Sequence, residues 1–165
     1  MARALRVDAP GTFHHVYNRD ARRRFIFLDD HDRRRFLYLL GQAVTRTDAK
    51  VHAYCLMGNH FHLLVESTNG NLSALMHHLS CRYARYFNRR HGFDGPLFTD
   101  RFKSKVIADD QNLLAVARYI HRNPKDVSNA PLVRYRWSSY GSYIGARKRP
   151  DWLTTELVFS IFGAD

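Results

Sequence analysis

Ten residues, Met57 to Glu66 (MGNHFHLLVE), constrain this chain more than any other stretch. Side chains on a β-strand alternate between faces, so His60 and His62 share one face, roughly 6–7 Å apart over two residue rises. Phe61, Leu63 and Val65 then make the opposite, apolar face. The Gly58-Asn59 pair before them is a favoured two-residue hairpin loop, so a strand should precede it and pair with this one. Two imidazoles at that spacing suit one divalent metal ion. They equally suit the surface of an ordinary half-exposed strand, and only the rest of the chain separates the two readings.

Upstream, Thr12–Arg19 (TFHHVYNR) is rich in aromatic and β-branched residues and predicts a first strand. Arg22 to Arg24 give a charged connection into Phe25–Leu28. Asp29 or Asp30 can cap a helix in which Phe36, Leu37, Leu40, Ala43 and Val44 fall at helical spacing, ending near Thr47. Lys50–Leu56 predicts a second strand, and the hairpin loop sets its Cys55 opposite His62. There Cys55 is a possible soft ligand that would favour zinc. The commoner fate of a strand thiol is a small buried apolar group.

After the polar turn STNGN, a long helix is predicted from about Leu72 to Arg90. Leu72, Leu75, Met76, Leu79, Tyr83, Tyr86 and Phe87 form its core stripe, Arg82, Arg85, Arg89 and Arg90 occupy the remaining surface, and Gly92 ends it. Phe98–Ala108 includes RFKSKVI, which predicts a further strand with Arg101, Lys103 and Lys105 on one face. Asp109 and Asp110 cap the helix QNLLAVARYIHRN, which Pro124 stops. Its buried stripe is Leu113, Val116, Ala117 and Ile120, with Tyr119 at the flank and Asn123 one turn further on. A basic C-terminal segment follows from about residue 125, containing YRWSSYGSYIGARKRPDW and a last apolar stretch, Leu157 to Phe162. The order β, α, β, β, α, β, α, with the hairpin in the middle, fits one domain over residues 1–165, an α+β ferredoxin-like antiparallel sheet with helices packed on it.

The charge narrows the partner. With 26 Lys and Arg against 15 Asp and Glu, the formal charge is +11, an excess that usually serves a polyanion, most often nucleic acid. Arg82, Arg85, Arg89, Arg101, Lys103 and Lys105 are the candidate nucleic-acid contacts. Their plainer readings are a solvated helix face and a charged strand edge that resists aggregation. No segment approaches a membrane span, and the start, MARALRVDAPGTF, has no apolar run of signal-peptide length. Two cysteines, Cys55 and Cys81, suit a reducing cytoplasm rather than a disulfide scaffold. No GxxxxGK[ST] loop is present, so nothing in the chain implies nucleotide hydrolysis.

NHFHLLVE, RYARYFNRRHG, LFTDRFKS, YIHRNP and YRWSSY lie in that order between about residues 12 and 145. Together they resemble the motifs of the REP-associated tyrosine transposases, a branch of the single-tyrosine HUH transposases. The resemblance implies a ferredoxin-like domain that cuts single-stranded DNA beside a short palindromic hairpin and holds it as a 5'-phosphotyrosine. It implies His60 and His62 as the metal pair, Tyr119 as the nucleophile, and the polar residue four beyond it, here Asn123, as the third ligand to Mg²⁺ or Mn²⁺. Wider HUH transposases often carry glutamine at that place, and many relatives continue past the point where this chain stops.

The chemistry agrees with the resemblance. A tyrosine hydroxyl, with a pKa near ~10, needs help as a nucleophile at neutral pH. A divalent cation that polarises the scissile phosphate supplies it, so metal and tyrosine have to be neighbours. Tyr17, Tyr83, Tyr86, Tyr135, Tyr140 and Tyr143 are rival nucleophiles; Tyr119 combines a basic helix with a polar residue one turn away. Asn123 shares the Tyr119 face, whereas His121 lies about 200° round the helix. Against Asn123 stands Pro124, which disfavours helical geometry at the residue before it and would leave the asparagine a simple helix end. Three function classes follow: a metal-dependent nickase and strand-transferase, a non-catalytic single-stranded nucleic-acid-binding module on the same sheet, and a phosphoesterase with paired H-x-[ST] motifs. Only His78-Leu79-Ser80 fits the last, and it lies within the long helix. The expected partner is single-stranded DNA with a hairpin, and the chain is a monomer or a homodimer, with Tyr119 acting in cis or in trans.

Overall fold

Alternation and turn chemistry build the centre of the protein. The computed structural model describes residues 7–20, 24–98 and 100–163. Met1 to Arg6, the Arg22 and Arg23 of the expected charged connection, and Thr99 lie outside the described residues. The elements are β1 (Thr12–Arg19), α1 (Asp30–Thr47), β2 (Lys50–Leu56), β3 (His60–Ser67), α2 (Leu72–His91), β4 (Lys103–Ile107), α3 (Asp110–Arg122), α4 (Tyr140–Tyr143) and α5 (Glu156–Phe162), with short 3-10 turns at Asn123–Asp126 and Leu132–Arg134. The sheet has the order β2-β3-β1-β4 and every neighbouring pair is antiparallel. This is the ferredoxin-like α+β arrangement expected from the sequence.

Local chemistry sets the boundaries. The Met57 N–H donates to the His60 carbonyl at 2.9 Å and closes the β2–β3 hairpin around Gly58-Asn59. Gly58 is there for close approach. Its carbonyl accepts the N–H groups of Ile26 and Phe27, and a Cβ would lie 2.8 Å from the Phe25 ring. Asp29 caps α1 by accepting the Asp32 N–H, Asp109 caps α3 by accepting the Asn112 N–H, and Gly92 ends α2 in the left-handed region at φ +66°.

The sheet separates two apolar layers. On one face Val16, Val51, Tyr54, Leu56, Phe61, Leu63 and Val65 meet α1 and α2 through Phe36, Leu40, Leu75, Leu79 and Tyr83. On the other face Ala53, Cys55, Met57 and Leu64 meet Leu113, Ala117 and Ile120 of α3 and Val158 of α5. Each fully buried leucine or phenylalanine contributes about 1.5–3 kcal/mol by leaving water. A bulge between Val51 and Ala53 shifts the β2 register by one and keeps Cys55 opposite His62. The YRWSSY segment covers the outer edge of β2: the Leu56 N–H donates to the Trp137 carbonyl at 2.8 Å and the Ser139 N–H to the Tyr54 carbonyl at 3.0 Å. Pairing removes an edge that would otherwise template aggregation.

Two expectations need correction. The predicted strand RFKSKVI begins only at Lys103, the partner of Tyr17; beyond that pair the β1 residue Asn18 reaches the Asp100 carbonyl with its side-chain N–H at 3.3 Å. Arg101 therefore precedes the strand instead of extending its cationic row. Arg90, expected on the open surface of α2, is bound to the acidic start of α1. Its guanidinium lies 2.6 Å from Asp32 and 2.7 Å from Asp29.

Asp32 itself is fully buried and also accepts the Leu28 N–H at 2.9 Å and faces His91 at 3.0 Å. Burial alone would raise its pKa; the Leu28 N–H, His91 and Arg90 outweigh that and hold the carboxyl below the usual carboxylate range. A lowered folded-state pKa adds stability that is complete above the unfolded value, about 4, and drains away as pH falls through the folded one. Asp32→Ala should therefore cost about 2–3 kcal/mol at neutral pH, since it leaves the Leu28 N–H without its acceptor and removes the buried partner of Arg90, which keeps Asp29. Urea midpoints at pH 7 and pH 3 check this: the gap between parent and variant should narrow in acid.

Candidate functional site

The expected residues gather on the α3 face of the sheet. The His60 and His62 rings stand at right angles with centroids 5.0 Å apart. Because Leu113, Ala117 and Ile120 anchor α3 on Ala53, Cys55 and Leu64, the next residue round the helix reaches the histidines. The Tyr119 ring meets His62 edge-on at 5.5 Å while remaining 51% exposed. Asn123 keeps a helical backbone, φ −48° and ψ −39°, despite Pro124, as α3 passes into a 3-10 turn. Its amide N–H points back to the Tyr119 carbonyl at 3.4 Å, and its Oδ1 lies 3.5 Å from His60 Nε2.

The hydrogen bonds show what these groups offer. His60 Nδ1 lies 2.6 Å from Asn59 Oδ1, an acceptor, so the ring donates from Nδ1. Burial, with Arg19 nearby, lowers the His60 pKa, and burial beside His15 and His60 takes that of His62 down to about 3. Burial favours the neutral form of both rings. With its proton on Nδ1, His60 turns Nε2 to the Asn123 carbonyl oxygen at 3.5 Å, and a cation held between them would satisfy both acceptors. Two imidazoles and a hard amide oxygen fit Mg²⁺ or Mn²⁺. Cys55 does not join them: burial pushes its thiol up to about 12, and its Sγ contacts Met57 Sδ at 3.6 Å. Among the described residues no three His, Cys, Asp or Glu side chains group as a metal site; the oxygen donor beside the two imidazoles is the Asn123 amide, 3.5 Å from His60 Nε2.

Most rival tyrosines are committed elsewhere. The hydroxyls of Tyr83, Tyr135 and Tyr143 each donate to a backbone carbonyl, of Ile26, Leu56 and His52, at 2.6 Å, and Tyr86 bonds Asp32 at 3.2 Å. Burial raises the pKa of all four. Tyr140 packs on His121 at 5.7 Å, and His121 itself is buried on Ser139 Oγ at 2.8 Å, away from the site. Tyr17 is the exception, with its ring 5.8 Å from His62.

Two residues at the site, His15 and Arg19, went unsingled in the sequence, and Tyr17 was named there only as a rival nucleophile. His15 bonds His62 Nδ1 through its Nε2 at 2.9 Å, Tyr17 is paired with His62 across β1–β3, and Arg19 is paired with His60. The signal was present in TFHHVYNR, but it becomes readable only once β1 is known to lie beside β3. The six candidate contact residues divide among three places. Lys103 and Lys105 pair with Tyr17 and His15 and so share the site's face. Arg82, Arg85 and Arg89 line a groove of about 570 Å³ with Arg35 and Tyr86 on the α1–α2 layer, across the sheet. Arg101 lines a cavity of about 650 Å³ between α2 and the segment before β4.

Fold and site together define a class: a ferredoxin-like domain in which a strand-borne histidine pair and a helix-borne tyrosine meet on the sheet face away from the two long helices. The family model described as IS200-like transposase matches residues 11–123, more than half of the chain. The chain belongs to the IS200-like transposase family. A search of curated protein sequences returns no match. Among solved structures, a REP-associated tyrosine transposase bound to a REP hairpin superposes with a TM-score of 0.70 at 14% identity, covering 95% of this chain and 93% of that one. A protein of Deinococcus radiodurans R1, provisionally assigned as a transposase, gives 0.50 at 16% identity over 73% of this chain and 97% of that one. Among the described residues no helix is long and apolar enough to cross a membrane.

Proposed function

We propose that the protein is a metal-dependent single-stranded DNA endonuclease and strand-transferase acting beside palindromic, REP-like hairpins. The observation that carries this is the convergence of His60, His62 and Asn123 with the exposed Tyr119. An ion of Mg²⁺ or Mn²⁺ held by the first three would polarise the scissile phosphate. The Tyr119 hydroxyl attacks phosphorus, the 3'-oxygen leaves, and the cut strand stays on the enzyme as a 5'-phosphotyrosine. That bond conserves the energy of the broken phosphodiester, so rejoining to another 3'-hydroxyl needs no nucleotide. Lys103 and Lys105, on the same face, lie where the strand's phosphates would pass, and Arg82, Arg85, Arg89 and Arg101 offer further contacts to a substrate that wraps the protein. The structural neighbour solved with a REP hairpin supports the hairpin as substrate, and two unpaired cysteines support a cytoplasmic setting.

A labelled single-stranded hairpin incubated with Mn²⁺ or Mg²⁺ should give a covalent protein–DNA band that survives denaturation. Binding without any such band, with either metal, would make the chain a non-catalytic binding module instead. Affinity should fall steeply with salt, by roughly 0.7 log units per tenfold salt for each phosphate neutralised. Fluorescence anisotropy from 50 to 300 mM salt tests this, and a flat response would remove the basic faces from the account.

The third ligand has its own test. Asn123→Ala should raise the metal concentration for half-maximal nicking about tenfold or more, while Cys55→Ala and His121→Ala titrate like the parent. A shift in the Cys55 variant, or none in the Asn123 variant, would reassign the ligand.

A further inference from the structure

We propose that His15 is a positioning residue that fixes the tautomer and orientation of His62. This rests on the metal reading of the site. His62 Nδ1 is engaged by His15 Nε2 at 2.9 Å, which leaves Nε2 as the nitrogen with which His62 can hold a cation. Nε2 has a free lone pair in a neutral ring only when the proton sits on Nδ1. His62 must therefore donate to His15, and His15 must accept at Nε2 and carry its own proton on Nδ1. His60 follows the same rule with a different partner, since its Nδ1 donates to Asn59 Oδ1 at 2.6 Å. Each histidine of the pair thus has its outer nitrogen tied down by a separate acceptor. Such partners set ring orientation and ligand basicity in metal sites.

Packing makes His15 a rigid support. Its ring lies edge to edge with that of His62, nearly coplanar, with centroids 5.1 Å apart and an interplanar angle of 27°; it backs onto Tyr17 at 5.3 Å and touches Tyr119 edge-on at 5.6 Å. One side chain therefore contacts both a candidate ligand and the candidate nucleophile. Register places it there: His15 lies between Leu64 of β3 and Lys105 of β4 in the ladder.

The test measures Mn²⁺ binding directly, from the spin-resonance signal of the free ion, in the parent, His15→Phe, His15→Gln and His62→Ala. His15→Phe keeps an aromatic ring against Tyr17 and Tyr119 and removes the acceptor, so its Mn²⁺ dissociation constant should rise at least about tenfold. His15→Gln, whose carbonyl oxygen reaches about as far as Nε2, should stay within about threefold of the parent. Equal affinity in His15→Phe, or an equal loss in both His15 variants, overturns the positioning role. If His62→Ala binds Mn²⁺ as the parent does, the metal reading fails and His15 falls with it. Nitrogen-15 spectra of the metal-free parent give a readout that needs no variant. A proton on His62 Nδ1 is expected, and a proton on Nε2 would overturn the proposal.

Discussion

Tyr119→Phe should abolish the covalent protein–DNA band and cut nicking by at least about 10³-fold, while hairpin affinity stays within about twofold. The variant loses a hydroxyl and nothing else. The ring's edge contacts with His15 and His62, at 5.6 and 5.5 Å, belong to the aromatic carbons, and α3 is anchored by other residues, so neither the fold nor the DNA surface should change. Half exposure also leaves the hydroxyl open to a strand approaching from solvent. Tyr17 is the one rival that the structure leaves at the site. Denaturing gels of Tyr119→Phe and Tyr17→Phe side by side, with anisotropy for binding, decide between them. A band that persists in the first and vanishes in the second would move the nucleophile to β1.

The elements were legible because local rules write them twice. β1 and β2 have the ends that the sequence predicts, since turn residues flank a run of strand formers, and the Asp29, Asp109 and Gly92 caps agree with the apolar stripes they bound. The site was half legible for the same reason: spacing alone puts His60 with His62 and Asn123 with Tyr119. What the sequence withheld needed long-range pairing. Nothing local tells that Arg90 will find Asp29 and Asp32, or that the β4 ladder ends at Lys103 with the Asn18 side chain on the Asp100 carbonyl beyond it. His15 sits one strand away from its partner, and its role appears only with the β1–β3 register. Helical spacing likewise said that Arg82, Arg85 and Arg89 face outward; it could not say that outward means the side of the sheet away from Tyr119. Asn123 went the other way. The proline rule argued against a helical asparagine, yet the 3-10 turn at Asn123–Asp126 carries the chain through with that geometry intact.

His60→Ala and His62→Ala should each lose metal-dependent nicking by at least about 10³-fold, and a chelator should do the same to the parent, reversed by added Mn²⁺. The two variants are expected to differ in everything except that loss. His60 is half-buried at the mouth of the hairpin loop, so its truncation should leave stability nearly unchanged. His62 is buried between β1 and α3, and its removal takes away the acceptor-bound partner of His15, at a cost of about 1–2 kcal/mol. Raising Mn²⁺ separates the roles further. If each ring supplies one donor, excess metal should recover little activity in either variant, because a site reduced to one imidazole and one amide binds a hard cation too weakly to fill. Recovery in His60→Ala alone would mean that His62 and Asn123 suffice and that His60 acts on the substrate instead. Nicking by the parent that survives chelation would remove the metal from the mechanism, and the facing lone pairs of His60 and Asn123 would then have to be bridged by a proton.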